Sequence, residues 1–219
     1  MGKYNDHRRL EGKHSYLSCS QPSWENRNEE QLIKMYYSKF ATDIGTAVHA
    51  FAHDCIIRKL KVNENDYHMI DYYLQVIYPL QTGVIIPKGA YDSVTLMKTV
   101  SLFVNDMIGF RMDSEIVLCY DEEFAFGTTD GIRCDDKEKI IRIGDLKSGV
   151  NPAKMVQLLL YDAYYCLEYK KNPKEYKHEL RIYQNGNIIE YFPMGEEVEE
   201  HMKNIVTATE ILRTKTERI

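Results

Sequence analysis

Residues Gly127–Tyr161 read GTTDGIRCDDKEKIIRIGDLKSGVNPAKMVQLLLY, and this stretch decides the fold. Asp130 follows Gly127-Thr128-Thr129, and Asp145 follows the apolar run Ile140, Ile141 and Ile143. Lys147 comes two residues after Asp145, and a helix then opens that carries Gln157 and Tyr161. Side chains alternate faces along a strand, so Asp145 and Lys147 point one way and Leu146 the other. A carboxylate and an ammonium side by side at a strand end are either a surface ion pair or half of a metal-dependent active site.

The flanking sequence gives this stretch a sheet to sit in. Ser114–Tyr120 alternates and is β-branched, as a strand should be. Phe124–Cys134 reads as a second strand in which Gly127 marks a bulge or a close approach. Lys139–Lys147 is a third. Asn151-Pro152 offers a helix start, with a side-chain cap and a proline at the first helical position. On that helix Gln157, Tyr161 and Tyr164 share one face, while Met155, Leu159 and Cys166 lie on an apolar side. Further on, Asn185-Gly186 between two alternating runs predicts a hairpin. An amphipathic helix with Val198, Met202, Ile205, Thr209 and Leu212 on one face closes the chain. Its first turn is acidic, as the helix dipole favours.

Upstream the texture is helical. From Glu29 to about Leu60, Ile44, Val48, Phe51 or Ala52, Cys55 and Leu60 recur at three- or four-residue steps. Gly45 inside this pattern costs roughly 1 kcal/mol against alanine, which points to a close approach or a kink. His49 lies one turn beyond Gly45 and His53 one turn beyond His49, on the same face. Two histidines so spaced suggest the zinc-protease pattern HExxH, but Ala50 stands where that chemistry needs its glutamate base. Residues 63–110 continue helical, first with Ile70, Leu74 and Ile77, then, after a turn at Pro87 and Gly89, with Val94, Met97, Ser101, Val104 and Ile108. Trp24 and the many tyrosines read as packing groups. Residues 1–14, with Lys3, Arg8, Arg9 and Lys13, are either a frayed terminus or an arm near phosphates.

The 219 residues, 44% hydrophobic, suffice for one α/β domain over 1–219. It divides into a mainly helical part (1–112), a sheet core (113–193) and a C-terminal helix (194–219). A net charge of −5 advertises no global basic field, although metal ions on active-site carboxylates would offset it locally. The five cysteines are odd in number and lack CxxC spacing, which fits reduced thiols and gives no zinc-ribbon signature. The N-terminus is polar, and no apolar run approaches a membrane span. The expectation is a soluble cytoplasmic protein with no membrane partner.

Taken in order, Gly45-Thr46-Ala47-Val48-His49, Gly127-Thr128-Thr129-Asp130, Asp145-Leu146-Lys147 and Gln157-Leu158-Leu159-Leu160-Tyr161 resemble the motifs of the PD-(D/E)XK nuclease superfamily. The likeness is to its RecB-like and phage-exonuclease branch, with a GxxxH-like helix, a GxxD strand end, a DxK strand and a QxxxY helix. It spans roughly Leu17 to Pro193. The resemblance implies a restriction-endonuclease-like core, a mixed central sheet flanked by helices. It also implies hydrolysis of DNA, linear duplex or single strand, by an exonuclease of recombination, repair or phage DNA metabolism. A structure-specific endonuclease and a catalytically silent, nuclease-like interaction protein are the alternatives.

The chemistry asks for these residue types. A hard divalent ion, Mg²⁺ or Mn²⁺, lowers the pKa of its water and neutralises developing charge, and it prefers oxygen ligands, with Mn²⁺ accepting imidazole more readily. Asp130 and Asp145 would hold that metal. The resemblance adds His49 and the Leu146 carbonyl as ligands. Lys147 would position the attacking water and stabilise the pentacovalent charge, and Gln157 and Tyr161 would orient Lys147 or the scissile phosphate. Glu115, one strand away, is a candidate outer carboxylate. Some members of that branch bind an iron–sulfur cluster through one early and three late cysteines. Here no cysteine follows Cys166, so no cluster is expected.

Overall fold

A computed structural model describes residues 7–10, 15–20 and 22–216. The expectation of a frayed end or basic arm at 1–14 falls largely outside the described residues, Lys3 and Lys13 included.

Helices α1 to α5 precede the sheet. Helix α1 (Glu29–Ser38) starts from an Asn28 capping box, in which Gln31 N–H donates to the Asn28 side chain and the Gln31 side chain accepts from the Asn28 N–H. Helix α2 spans Ala41–Ile57. Helices α3 (Tyr67–Tyr72) and α4 (Tyr78–Thr82) are joined by a π-helical turn over Tyr73–Ile77. Pro79, at the start of α4, has no N–H for an α-helical ladder, which fits a widened turn just ahead of it. Helix α5 (Ser93–Gly109) starts at Asp92, whose carboxylate accepts from Val94 N and Thr95 N.

The single helical run expected over Glu29–Leu60 is therefore two helices. The apolar period passes through Phe40 unbroken, but the chain turns at Lys39–Phe40. Helix α1 buries no residue, whereas α2 buries Ile44, Ala47, Val48, Phe51, Ala52, Cys55 and Ile56. Leu60 lies beyond the end of α2, where Lys59 adopts a left-handed φ of 54°, and it is 47% exposed.

The sheet is five-stranded in the order β1-β2-β3-β4-β5: Asp113–Asp121, Ala125–Asp135, Ile140–Lys147, Lys177–Gln184 and Asn187–Tyr191. The first three strands form an antiparallel meander, β3 and β4 are parallel, and β4 and β5 form an antiparallel hairpin. Helix α6 (Val156–Glu168) makes the crossover that a parallel pair requires. The hairpin turn is Asn185-Gly186, both at positive φ (51° and 69°), the geometry that an Asn-Gly pair favours. Helix α7 (Gly195–Thr216) closes the chain, with Glu196 and Glu197 in its first turn.

The protein is thus α/β, a mixed sheet flanked by helices. Between α2, α3, α5 and one sheet face lies a core that takes in Leu146 and Tyr183. The other face, with Ile141, Ile143, Leu180 and Ile182, packs with Leu158, Leu159 and Ala163 of α6, and Val198 and Ile205 of α7 join the same core. Strand β3 is covered on both sides, which explains its near-continuous apolar run. Among the described residues, no helix is long and apolar enough to cross a membrane.

The helix expected to open at Asn151-Pro152 begins instead at Val156. Gln184, 5% exposed at the end of β4, is the reason. Its Nε2 donates to the carbonyls of Gly149 and Asn151, and its Oε1 accepts from Ala153 N. These bonds hold the backbone after β3 as an extended loop.

Candidate metal and phosphodiester site

The meander's register lines up three acids. Ser114 pairs with Gly131 and Ile116 with Thr129, leaving Glu115 and Asp130 between the two rungs and opposite one another. The β2–β3 ladder ends at Gly131 and Gly144, so Asp130 and Asp145 face each other one step beyond its last rung. There a side chain replaces the backbone acceptor: Leu146 N donates to Asp130 Oδ2 at 2.7 Å. Leu146 turns its side chain into the helical core, so alternation holds across Asp145-Leu146-Lys147.

Helix α2 delivers the imidazole. At Gly45 the helix passes the loop after β3, where a Cβ would meet Ser148 Oγ at an ordinary contact distance of 3.4 Å. One turn on, His49 Nδ1 lies 3.4 Å from Asp130 Oδ1. A further turn on, His53 Nδ1 is 3.0 Å from Ser114 Oγ and ties α2 to β1, a structural role. Gly45, Thr46, His49, Ala50, His53 and Glu115 line an open cleft of about 530 Å³. Ligating atoms of His49, Glu115 and Asp130 all lie within 4.8 Å of one another.

Asp145 anchors the other half. It is 2% exposed, and Lys147 Nζ lies 3.1 Å from its Oδ1 and 2.9 Å from its Oδ2. Only Oδ1 is hydrogen-bonded; Oδ2 is buried without a hydrogen-bond partner. Lys147 also donates to Gln157 Oε1 at 3.0 Å, and Gln157 Nε2 donates to Tyr161 OH at 3.1 Å. The ring of Tyr161 rests on Gly127, where a Cβ would sit 3.0 Å from Cε1. Gly127 is therefore the close approach, and the register irregularity falls between Cys119 and Asp121.

Burial pushes the Asp145 carboxyl up to about 6, the Asp130 charge pushes the same way, and Lys147 and His49 oppose them. At His49 burial works against protonation, but the bond to Asp130 and the charges of Asp130, Asp145 and Glu115 outweigh it, so its pKa is raised. Such a site draws in positive charge. The donors, an imidazole and carboxylate oxygens, are of the kind a hard divalent cation takes.

The structure joins the expected residues in two sets, His49 with Asp130 and Asp145 with Lys147, Gln157 and Tyr161. The peptide of Leu146 links them through its N–H to Asp130, and Asp145 is not in the group of His49, Glu115 and Asp130 whose ligating atoms lie within 4.8 Å of one another. Glu115 sits closer in than sequence reasoning places it, within the His49–Asp130 cluster. No local signal finds it, because the register counted back from the β1–β2 turn slips by one residue between Cys119 and Asp121. Glu115 also has φ of +57°, rare for a residue with a Cβ and costing on the order of 1–3 kcal/mol. Compared with protein-family models, with curated proteins and with solved structures, the chain matches none.

Proposed function

We propose that the protein is a divalent-metal-dependent deoxyribonuclease that hydrolyses phosphodiester bonds, built on a restriction-endonuclease-like core and acting as an exonuclease in recombination, repair or phage DNA metabolism. The observation that carries this is the convergence of side chains distant in sequence. His49 of α2 meets Asp130 of β2, which faces Asp145 of β3, and Asp145 holds Lys147. The antiparallel meander, helical crossover and parallel fourth strand support the fold part of the proposal.

In this reading His49, Asp130, Asp145 and the Leu146 carbonyl hold Mg²⁺ or Mn²⁺. The bound ion supplies a deprotonated water at neutral pH and neutralises charge on the phosphate. The chain's own groups do the rest. An ammonium has three N–H donors, and Lys147 commits two of them, to Asp145 and Gln157. The third is left for a phosphate oxygen or the attacking water, where the fixed positive charge stabilises the pentacovalent state. Gln157 gives its carbonyl to Lys147 and an N–H to Tyr161, so the Tyr161 hydroxyl proton stays available to the substrate.

Incubation of linear and covalently closed circular DNA with Mn²⁺ tests the proposal. Degradation of the linear form alone is expected. Cleavage of circles would replace the exonuclease with an endonuclease. Metal binding with no cleavage of either form would leave a silent, nuclease-like binding protein.

A further inference from the structure

We propose that Glu115 is a direct ligand of the divalent cation, so that His49, Glu115 and Asp130 grip it together and Asp145 closes the set from the neighbouring strand. This rests on the nuclease reading of the site, but it names a ligand that the four motifs do not contain. The geometry leaves room for a cation between these groups, of which Glu115 is exposed and His49 and Asp130 are partly buried. Glu115 and Asp130 oppose each other across the β1–β2 ladder, where like charges repel. Their carboxylates and the His49 imidazole nonetheless bring ligating atoms within 4.8 Å of one another. Lys147 does not neutralise the cluster, because its ammonium is committed to Asp145 and Gln157. Among the described residues, no lysine or arginine forms an ion pair with Glu115.

A second observation concerns the neighbouring strand. Asp145, 2% exposed, faces Asp130 from the other side, and its Oδ2 makes no hydrogen bond and is met only by the Lys147 ammonium, as an ion pair at 2.9 Å. That one ammonium offsets Asp145 and leaves the Glu115–Asp130 pair to be balanced by other charge. Three strands thus present one carboxylate each, and α2 adds the imidazole. The position of Glu115 is held from both sides: Ser114 is tied to His53 of α2, and Ile116 pairs with Thr129. An imidazole among oxygen donors favours Mn²⁺ over Mg²⁺, which makes Mn²⁺ the probe.

The test is calorimetric titration of Mn²⁺ into the metal-free full chain, with thermal midpoints in the same buffer, for wild type, Glu115→Gln and Glu115→Gly. Glu115→Gln is expected to bind Mn²⁺ at least about tenfold more weakly, with a metal-free midpoint no lower than wild type, since an opposed charge has gone. Glu115→Gly, which also removes the left-handed strain, should raise the metal-free midpoint and weaken Mn²⁺ to the same degree. It also stands in if the glutamine variant folds poorly. Crystals soaked in Mn²⁺ should show an anomalous peak at coordinating distance from a Glu115 oxygen. Unchanged affinity in both variants, or a peak reached from Glu115 only through water, would overturn the proposal and leave the nuclease reading standing. Absence of Mn²⁺ binding by wild type would overturn both.

Discussion

Replacing Asp145 with asparagine should stabilise the metal-free protein and abolish its response to metal. Burial, reinforced by Asp130, lifts the Asp145 carboxyl from 3.8 to about 6 even with Lys147 beside it. A folded-state pKa above the unfolded one favours folding when the group is protonated. That contribution is whole below pH 3.8 and is lost as pH rises through about 6. At about 1.4 kcal/mol per pH unit, wild type above pH 7 gives up about 3 kcal/mol at this one side chain. The amide of an asparagine at this position carries no charge to bury. D145N should therefore be more stable than wild type at pH 8, by up to about 3 kcal/mol or roughly 6–12 °C for a chain of this size. The difference should vanish near pH 4. Addition of Mn²⁺ should reverse the ranking at about a thousand times its Kd, where a ligand stabilises the form that binds it by about 4.1 kcal/mol. Urea denaturation of both proteins at pH 4 and pH 8, in chelator and in Mn²⁺, reads all four quantities. A metal-free D145N less stable than wild type at pH 8 would mean that Asp145 and Lys147 are a stabilising ion pair and nothing more, and the argument for a cation there would fail.

Lys147→Ala should slow single-turnover DNA cleavage by about 10²–10³ and leave Mn²⁺ affinity within a few-fold by calorimetry; a collapse of affinity would refute the role given to this ammonium. Gly127→Ala puts a methyl 3.0 Å from Cε1 of the Tyr161 ring, tight enough that the ring must shift. It should lower kcat with Mn²⁺ affinity unchanged, at about 1–3 kcal/mol of stability. Midway along α6, Asp162 meets His178 of β4, both fully buried side chains, at 2.6 Å, with His178 Nε2 donating to the Pro173 carbonyl. Removing either partner should cost about 3–5 kcal/mol. At His178 burial opposes protonation, but the Asp162 carboxylate outweighs it and raises the pKa, while burial also raises that of Asp162. The raised His178 value places its contribution below about pH 6.5 and removes it as pH rises through the folded-state value, whereas the raised Asp162 value contributes in full only below pH 3.8. The gap between wild type and Asp162→Asn in urea should therefore narrow from pH 6 to pH 9.

What can be read from the sequence follows the range of the interaction responsible. The contact between Lys147 and Asp145 is fixed by strand alternation, and that between Gln157 and Tyr161 by one helical turn, so two-residue and four-residue spacings are enough. The hairpin at Asn185-Gly186 is equally local. Sequence reading undervalues Glu115 because its place depends on the β1–β2 register and on a left-handed backbone that a glutamate does not announce. It misplaces the start of α6 because the groups that hold residues 149–153 belong to Gln184, on a strand across the crossover. The division of Glu29–Leu60 is hidden because the apolar period runs through the bend at Phe40, and only the destination of each half, surface or core, separates them.

Departures from local rules occur at several places, among them positive φ at Lys59, Arg111, Lys139 and Lys170 and an Arg181 Nε buried without a hydrogen bond, but several kinds gather around Asp130. Strands β3 and β4 are paired from Ile140 with Lys177 to Lys147 with Gln184, and Arg142 with Glu179 and Arg181 with Glu190 are complementary cross-strand pairs, although Arg133 lies opposite Arg142. Around Asp130 the pattern inverts. The β2–β3 ladder stops, a carboxylate takes the place of a carbonyl for Leu146 N, two acids face each other, a buried carboxylate is met by Lys147 alone, and a glutamate adopts positive φ. The repulsion, the burial of charge and the backbone strain each weaken the metal-free protein, and consistent sequences tolerate such conflicts chiefly where function demands them. A surface ion pair between Asp145 and Lys147 would explain one contact and none of the others. A cation between His49, Asp130 and Asp145 would turn repulsion and desolvation into binding energy at a single point, which is why the metal-dependent reading accounts for more of this corner of the sheet.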